Sequence, residues 1–138
     1  MEARALVVDT NVVVAGLLTG DPSSPTAEVL TGMIEVSFPY LLSPALLSEY
    51  REVLLQPRIR SRHGLTDEEI DSLLTEIVAN AIVREPDLSP DQAPASQDQH
   101  LWDLLASEHG AVLITGDKEL LEQPPEKASV VSPAVFLG

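Results

Sequence analysis

The chain has 138 residues, 44% of them hydrophobic but only 4% aromatic, which favours one domain spanning 1–138 around an aliphatic core. It contains no cysteine, so a disulfide framework and thiolate metal ligands are excluded. Eight Lys and Arg against 22 Asp and Glu give a net charge of −14, which argues against a simple DNA-binding module but leaves divalent-cation chemistry open.

The predicted elements alternate along the chain. Ala5 to Val8 is a short branched apolar run suited to a strand buried on both faces. A second apolar run, Val12 to Leu18, follows, but Asp9 and Asn11 interrupt what an export signal would need to keep apolar. No apolar stretch approaches the roughly 20 residues of a membrane span, so the expectation is a cytoplasmic protein. Pro22-Ser23-Ser24-Pro25 forms a turn before a helix over Thr26 to Met33. Tyr40 to Leu42 reads as a strand. Ser43 then caps a helix with Pro44 in its first turn, running to about Leu55, where Gln56-Pro57 stops it.

Thr66 and Glu69 form a capping box, and Asp67, Glu68 and Glu69 place negative charge at the start of the next helix. A short strand is expected at Ala81 to Val83, and a proline-bearing acidic loop from Glu85 to Ser96. A helix from Gln97 to His109 ends at Gly110, followed by a strand at Val112 to Thr115. A short helix near Lys118 to Leu121, a strand at Val130-Val131 and a last turn at Pro133 to Phe136 close the chain. Strands separated by helices imply an α/β fold of three layers, α/β/α, with a central parallel sheet of four to five strands.

In such sheets ligands bind outside the carboxyl ends of the strands. Asp9 directly follows one strand and Asp117 another, although an Asp there also caps a turn. Glu49 lies three residues after Leu46 and four before Val53, on the shoulder of the core-facing stripe, whereas Glu52 points outward. Asp98 precedes Leu101 by three and Leu105 by seven, so it leads the apolar stripe of its helix; it also suits the helix dipole there. Asp103 falls off that stripe and reads as plain surface. Four inward-leaning acids without matching basic partners raise one another's pKa or need neutralising, and hard oxygen ligands suit Mg²⁺ or Mn²⁺. Carboxylates sharing one or two such ions hydrolyse phosphodiesters by in-line displacement.

The motifs Val8-Asp9-Thr10-Asn11-Val12, Ser48-Glu49-Tyr50-Arg51-Glu52-Val53-Leu54 and Leu113-Ile114-Thr115-Gly116-Asp117-Lys118-Glu119-Leu120 resemble those of PIN-domain ribonucleases. The segments Gln56-Pro57-Arg58-Ile59-Arg60, Gly64 to Ile70 and Val131 to Leu137 are similar to the VapC-like toxin components of toxin–antitoxin systems. The resemblance covers nearly the whole chain, in order. It implies a PIN-like fold and a metal-dependent endoribonuclease leaving a 5′-phosphate and a 3′-hydroxyl. Asp9, Glu49, Asp98 and Asp117 would be the catalytic metal ligands, for Mg²⁺ or Mn²⁺. Relatives carry a run of aspartates before the third ligand helix, where Ser96-Gln97-Asp98-Gln99-His100 offers Asp98, with Asp103 the poorer choice. An RNA substrate, a protein antitoxin and a homodimer are the partners the resemblance implies.

Asn11 and Thr115, each two residues from an acid, read either as orienting partners of the carboxylates or as ordinary turn and strand-end hydrogen bonders. His100 and His109, near helix ends, read as surface groups. Arg51, Arg58, Arg60 and Arg62 concentrate half of the eight basic residues; they are candidate RNA-binding side chains, or salt-bridge partners of Asp67 to Glu69. Two other classes remain as alternatives. One is a weak or inactive binding partner that keeps the fold, which intact folding without Mn²⁺ affinity would favour. The other is an Asp-phosphorylated receiver or hydrolase, which needs acids around the acceptor where this chain has Asn11.

Overall fold

A computed structural model describes residues 4–138. In chain order the elements are β1 (Leu6–Val8), α1 (Thr10–Leu18), α2 (Pro25–Glu35), β2 (Leu41–Leu42), α3 (Pro44–Leu54), α4 (Pro57–His63), α5 (Asp67–Asn80) and β3 (Ile82–Val83). A 3₁₀ turn at Ser96–Asp98 leads into α6 (Gln99–Ala106), followed by β4 (Val112–Ile114), α7 (Lys118–Glu122), β5 (Ser129–Val131) and α8 (Pro133–Leu137). Strands β1, β4 and β5 pair in that order and β2 pairs with β3, every pairing parallel. A parallel bridge between Leu6 and Tyr40 joins the two groups, so the strands run β3-β2-β1-β4-β5. The fold is α/β, a parallel sheet flanked by helices, as the alternation of elements requires.

Local chemistry explains the boundaries. β1 and β4 are buried throughout, as strands covered on both faces should be, whereas both residues of β3, at the sheet edge, are exposed. Ser43 Oγ accepts from the Leu46 amide at 3.1 Å with Pro44 in the first turn of α3. At α5, Thr66 and Glu69 bond reciprocally at 3.1 and 3.0 Å, the expected capping box. Helices α1 and α2 approach closely because Gly16 lacks a side chain: a Cβ there would lie 2.6 Å from the Thr26 carbonyl oxygen. The core closes on Tyr40, whose hydroxyl donates to the Ile77 carbonyl at 2.7 Å, and on the buried Trp102.

Three elements differ from the expectations. The run Val12 to Leu18 is the body of α1, with Asp9 as its N-cap. The helix begun at Pro44 ends at Leu54 with Leu55 as its C-cap, as expected, but Pro57 also opens a further helix, α4, since a first-turn proline forfeits no intrahelical bond. The helix expected from Gln97 to His109 covers only Gln99–Ala106, because Ser107 Oγ turns back to the Leu104 carbonyl at 2.6 Å. Asp103 is not plain surface: it is half-buried, and its Oδ1 accepts from the Ser89 amide at 2.8 Å and from Gln99 Nε2 at 3.2 Å. With Gln99 Oε1 accepting from the Ala93 amide at 2.9 Å, these bonds hold the proline-bearing loop against α6.

Candidate active site

Because β1 and β4 are adjacent and parallel, the residues just past their carboxyl ends meet. Asp9 is 5% exposed there, and both of its oxygens accept hydrogen bonds. The Thr10 amide donates to Oδ1 at 2.7 Å, while Thr115 Oγ1 and Asn11 Nδ2 donate to Oδ2 at 2.8 and 3.1 Å. Asn11 Oδ1 in turn accepts from the Gly116 amide at 3.0 Å, and Thr115 Oγ1 accepts from the Asp117 amide at 3.0 Å. Asn11 and Thr115 are therefore both orienting partners and local turn bonders, tying the two strand ends into one network. Asp117 also caps α7, Oδ1 accepting from the Glu119 amide at 2.9 Å. Capping thus accounts for part of what Asp9 and Asp117 do, and leaves Asp117 Oδ2 without a bond among the described residues.

Glu49 enters from the middle of α3. Its Oε1 accepts from the Thr10 hydroxyl and its Oε2 lies 3.0 Å from His100 Nε2. In the sequence, the only signal for Thr10 is its place directly after Asp9. Asp98 occupies the N-cap position of α6, yet its side chain makes no capping bond. Behind the site, the Tyr50 hydroxyl donates to the Val8 carbonyl, and burial holds that phenol neutral by pushing its pKa well above the ordinary value.

The electrostatics follow from this packing. Burial pushes the Asp9 carboxyl from its ordinary 3.8 up to about 6, opposed by the bonds from Thr115 and Thr10 and reinforced by Glu49 and Asp98. Asp98 is also raised, first by burial, then by the charges of Asp117 and Glu49. Among the described residues, none of Asp9, Asp98 and Asp117 forms an ion pair.

A cleft of about 670 Å³ is lined by Asp9, Glu49, Asp98 and Asp117, with Thr10 and Asn11 beside them. Val14, Ala15, Leu18, Val53 and Ile59 form its apolar wall, and Arg62 reaches it from α4. The four basic candidates divide here. Arg51 pairs with Asp71 at 3.1 Å and Arg60 with Asp67 at 2.6 Å, while Arg58 and Arg62 form no ion pair among the described residues. His109 is exposed, as expected of a surface group; His100 is not, its side chain being 20% exposed.

Uncompensated carboxylates around one polar cleft suit a hard divalent cation. They face the cleft without closing on a point: among the described residues, no three acidic or histidine side chains converge enough to enclose an ion as they stand. An Asp phosphoacceptor gains nothing from this geometry, since Asp9 is buried with both oxygens engaged.

The family model of the PIN domain matches residues 5–119, a span that includes all four acids, and the chain belongs to the PIN domain family. PIN domains are in general metal-dependent nucleases. Among solved structures, the PIN domain of T. brucei RRP44 aligns over 98% of this chain and 79% of its own, at 16% identity and a TM-score of 0.54, a likeness that shows the fold. No curated protein matches the chain. Among the described residues, no helix is long and apolar enough to cross a membrane.

Proposed function

We propose that this PIN domain is a Mg²⁺- or Mn²⁺-dependent endoribonuclease in which Asp9, Glu49, Asp98 and Asp117 hold the metal. One observation carries the reading: four acids spread from position 9 to position 117 line one cleft, and three of them lack any ion-pair partner among the described residues. Mg²⁺ keeps several of its waters, so carboxylates spaced around a cleft can act through water as well as directly. Bound there, the cation supplies an acidified water and neutralises charge developing on the phosphodiester. The chain's own groups do the rest. Thr115, Asn11 and the Thr10 amide fix the Asp9 carboxylate, so its orientation is set before any ligand arrives. Arg62 lines the same cleft as the acids and would offer a counter-charge to a flanking phosphate; the aliphatic lining would take sugar and base by contact.

Asp9→Asn tests the reading, being nearly isosteric and free of the charge. Removing an outer partner of a metal ligand costs about 10–100-fold, so removing the ligand charge should lower Mn²⁺-dependent RNA cleavage by more than about 100-fold with the fold intact. Cleavage at the wild-type rate by Asp9→Asn, or none by wild type with any divalent ion, contradicts it. The inactive-partner reading draws on the lack of a converged ligand set, and an intact fold without Mn²⁺ affinity would support it. A finer reading, a toxin held in check by a protein antitoxin, rests on motif resemblance. Growth arrest on bacterial expression of the wild-type chain alone, absent with Asp9→Asn, is its expected outcome.

A further inference from the structure

His100 stands in the first turn of α6, yet its ring is turned inward, toward α3. Nε2 lies 3.0 Å from Glu49 Oε2, and Nδ1 is buried with no hydrogen-bond partner among the described residues. A carboxylate at that distance only accepts, so the hydrogen sits on Nε2 and His100 is the donor. Because Nδ1 bonds none of the described residues, the ring's hydrogen bonding among them is directed at Glu49 rather than at a network that would hold α6 in place.

Thr10 at the start of α1 donates to the other oxygen of the same carboxylate. Glu49 is therefore held at both ends by groups from two further helices. A glutamate side chain otherwise retains considerable rotamer freedom, and ordering it on ligand binding costs affinity. Two tethers remove most of that freedom in advance, and each carboxylate oxygen keeps lone-pair capacity for a further partner.

We propose that His100 is a positioning residue of the cleft: its Nε2–H fixes the Glu49 carboxylate in one plane against the cleft wall, preformed for a divalent cation. The inference rests on the metal-dependent reading above, and it assigns His100 a hydrogen-bond donor role with no part in proton transfer.

The test is direct titration of the full chain with Mn²⁺, followed by the electron paramagnetic resonance signal of free Mn²⁺, so that no turnover is needed. Glutamine can place its amide nitrogen where Nε2 lies, whereas asparagine falls short at the position of Nδ1. The expected result is a loss of about tenfold or more in Mn²⁺ affinity for His100→Ala and His100→Asn, with His100→Gln restored to within about threefold of wild type, as for partners that orient metal ligands. If the alanine variant fails to fold, the Asn and Gln pair carries the comparison. Affinity in His100→Asn equal to or tighter than wild type overturns the proposal, as does a glutamine variant no better than asparagine. Wild type without Mn²⁺ affinity overturns the metal reading, and this inference with it; a bound wild type with unaffected variants overturns only the role of His100.

Discussion

On the wall where β1 and β4 end, Asp9, Asn11, Thr115 and Asp117 are joined by side-chain bonds of 2.8 to 3.3 Å, and Asp9 is nearly inaccessible. Across the cleft, α4 is built quite differently. It buries no residue, its N-cap Gln56 makes no side-chain bond, and its main anchor is His63, with Nε2 3.0 Å from the Leu54 carbonyl and Nδ1 accepting from the Leu65 amide at 2.9 Å. One wall holds charge of one sign where water is scarce; the other holds the opposite sign where water is plentiful. Charge on the first wall alters the folding free energy, because burial penalises it. Charge on the second alters little except encounters with other charged molecules.

pH offers the most forceful way to break that comparison. The Asp9 carboxyl titrates at about 6 in the folded chain and at 3.8 when unfolded. A raised folded value means the fold binds the proton more tightly, so this contribution is fully present below pH 3.8 and is lost as pH rises through about 6. At roughly 1.36 kcal/mol per pKa unit the loss is on the order of 3 kcal/mol. Urea unfolding with chelator at pH 4 and pH 7 measures it, with Asp9→Asn as the reference that carries no such titration. The wild type should lose about 2 kcal/mol relative to the variant between the two pH values, part of the full loss having already occurred by pH 4, and Mg²⁺ at pH 7 should return part of it by binding only the fold. Parallel pH profiles for the two chains would mean the acid wall is no different from the surface.

How much of this was legible in the sequence depends on the range of the interactions involved. Strand–helix alternation is local, and it gave the parallel α/β fold; the capping box at Thr66 and Glu69 and the cap at Ser43 are local as well. The placement of Asp9 and Asp117 was legible because their strands are buried and the residue past a buried strand has few places to point. The sequence around His100 marks it as a surface group, since nothing in its own helix shows that α3 passes beside it; the pair with Glu49 spans 51 positions. The environment of Asp103 is hidden for the same reason, because its Ser89 partner lies in a loop that periodicity cannot place. Helix α1 is not legible because a continuous apolar run has no period, and α4 because Pro57, which does follow the end of α3, is also an ordinary helix start.

Gly16 sharpens the comparison from behind the acid wall. It lies in the helix that Asp9 caps, and that helix also contributes Val14, Ala15 and Leu18 to the cleft. On helix propensity alone, Gly16→Ala would stabilise by up to about 1 kcal/mol. The Cβ, however, would fall 2.6 Å from a backbone oxygen of Thr26 and 3.1 Å from Leu30 Cβ, and backbone cannot swing aside as a side-chain tip can. The clash prevails, and the expected outcome is a net loss of about 1–3 kcal/mol in thermal or urea unfolding. A neutral or stabilising Gly16→Ala would mean that α1 and α2 can separate freely, and that the acid wall is less rigid than its hydrogen bonds imply.

Arg62→Ala acts on the opposite wall and should have the smallest energetic effect. Arg62 is exposed, forms no ion pair among the described residues and lines the cleft that holds the four acids. Losing it should leave the unfolding midpoint and Mn²⁺ affinity unchanged, since neither burial nor a metal contact is removed. Binding of a single-stranded RNA oligonucleotide to the Asp9→Asn background should weaken by about 1 kcal/mol, and the slope of log affinity against log salt should fall by about one ion. Arg60→Ala is the matched control: its guanidinium is already occupied by Asp67, so the same assay should show a smaller change. Equal effects from the two arginines would remove the distinction between the paired and the unpaired cation, and with it the reason for directing RNA across α4 toward the acids.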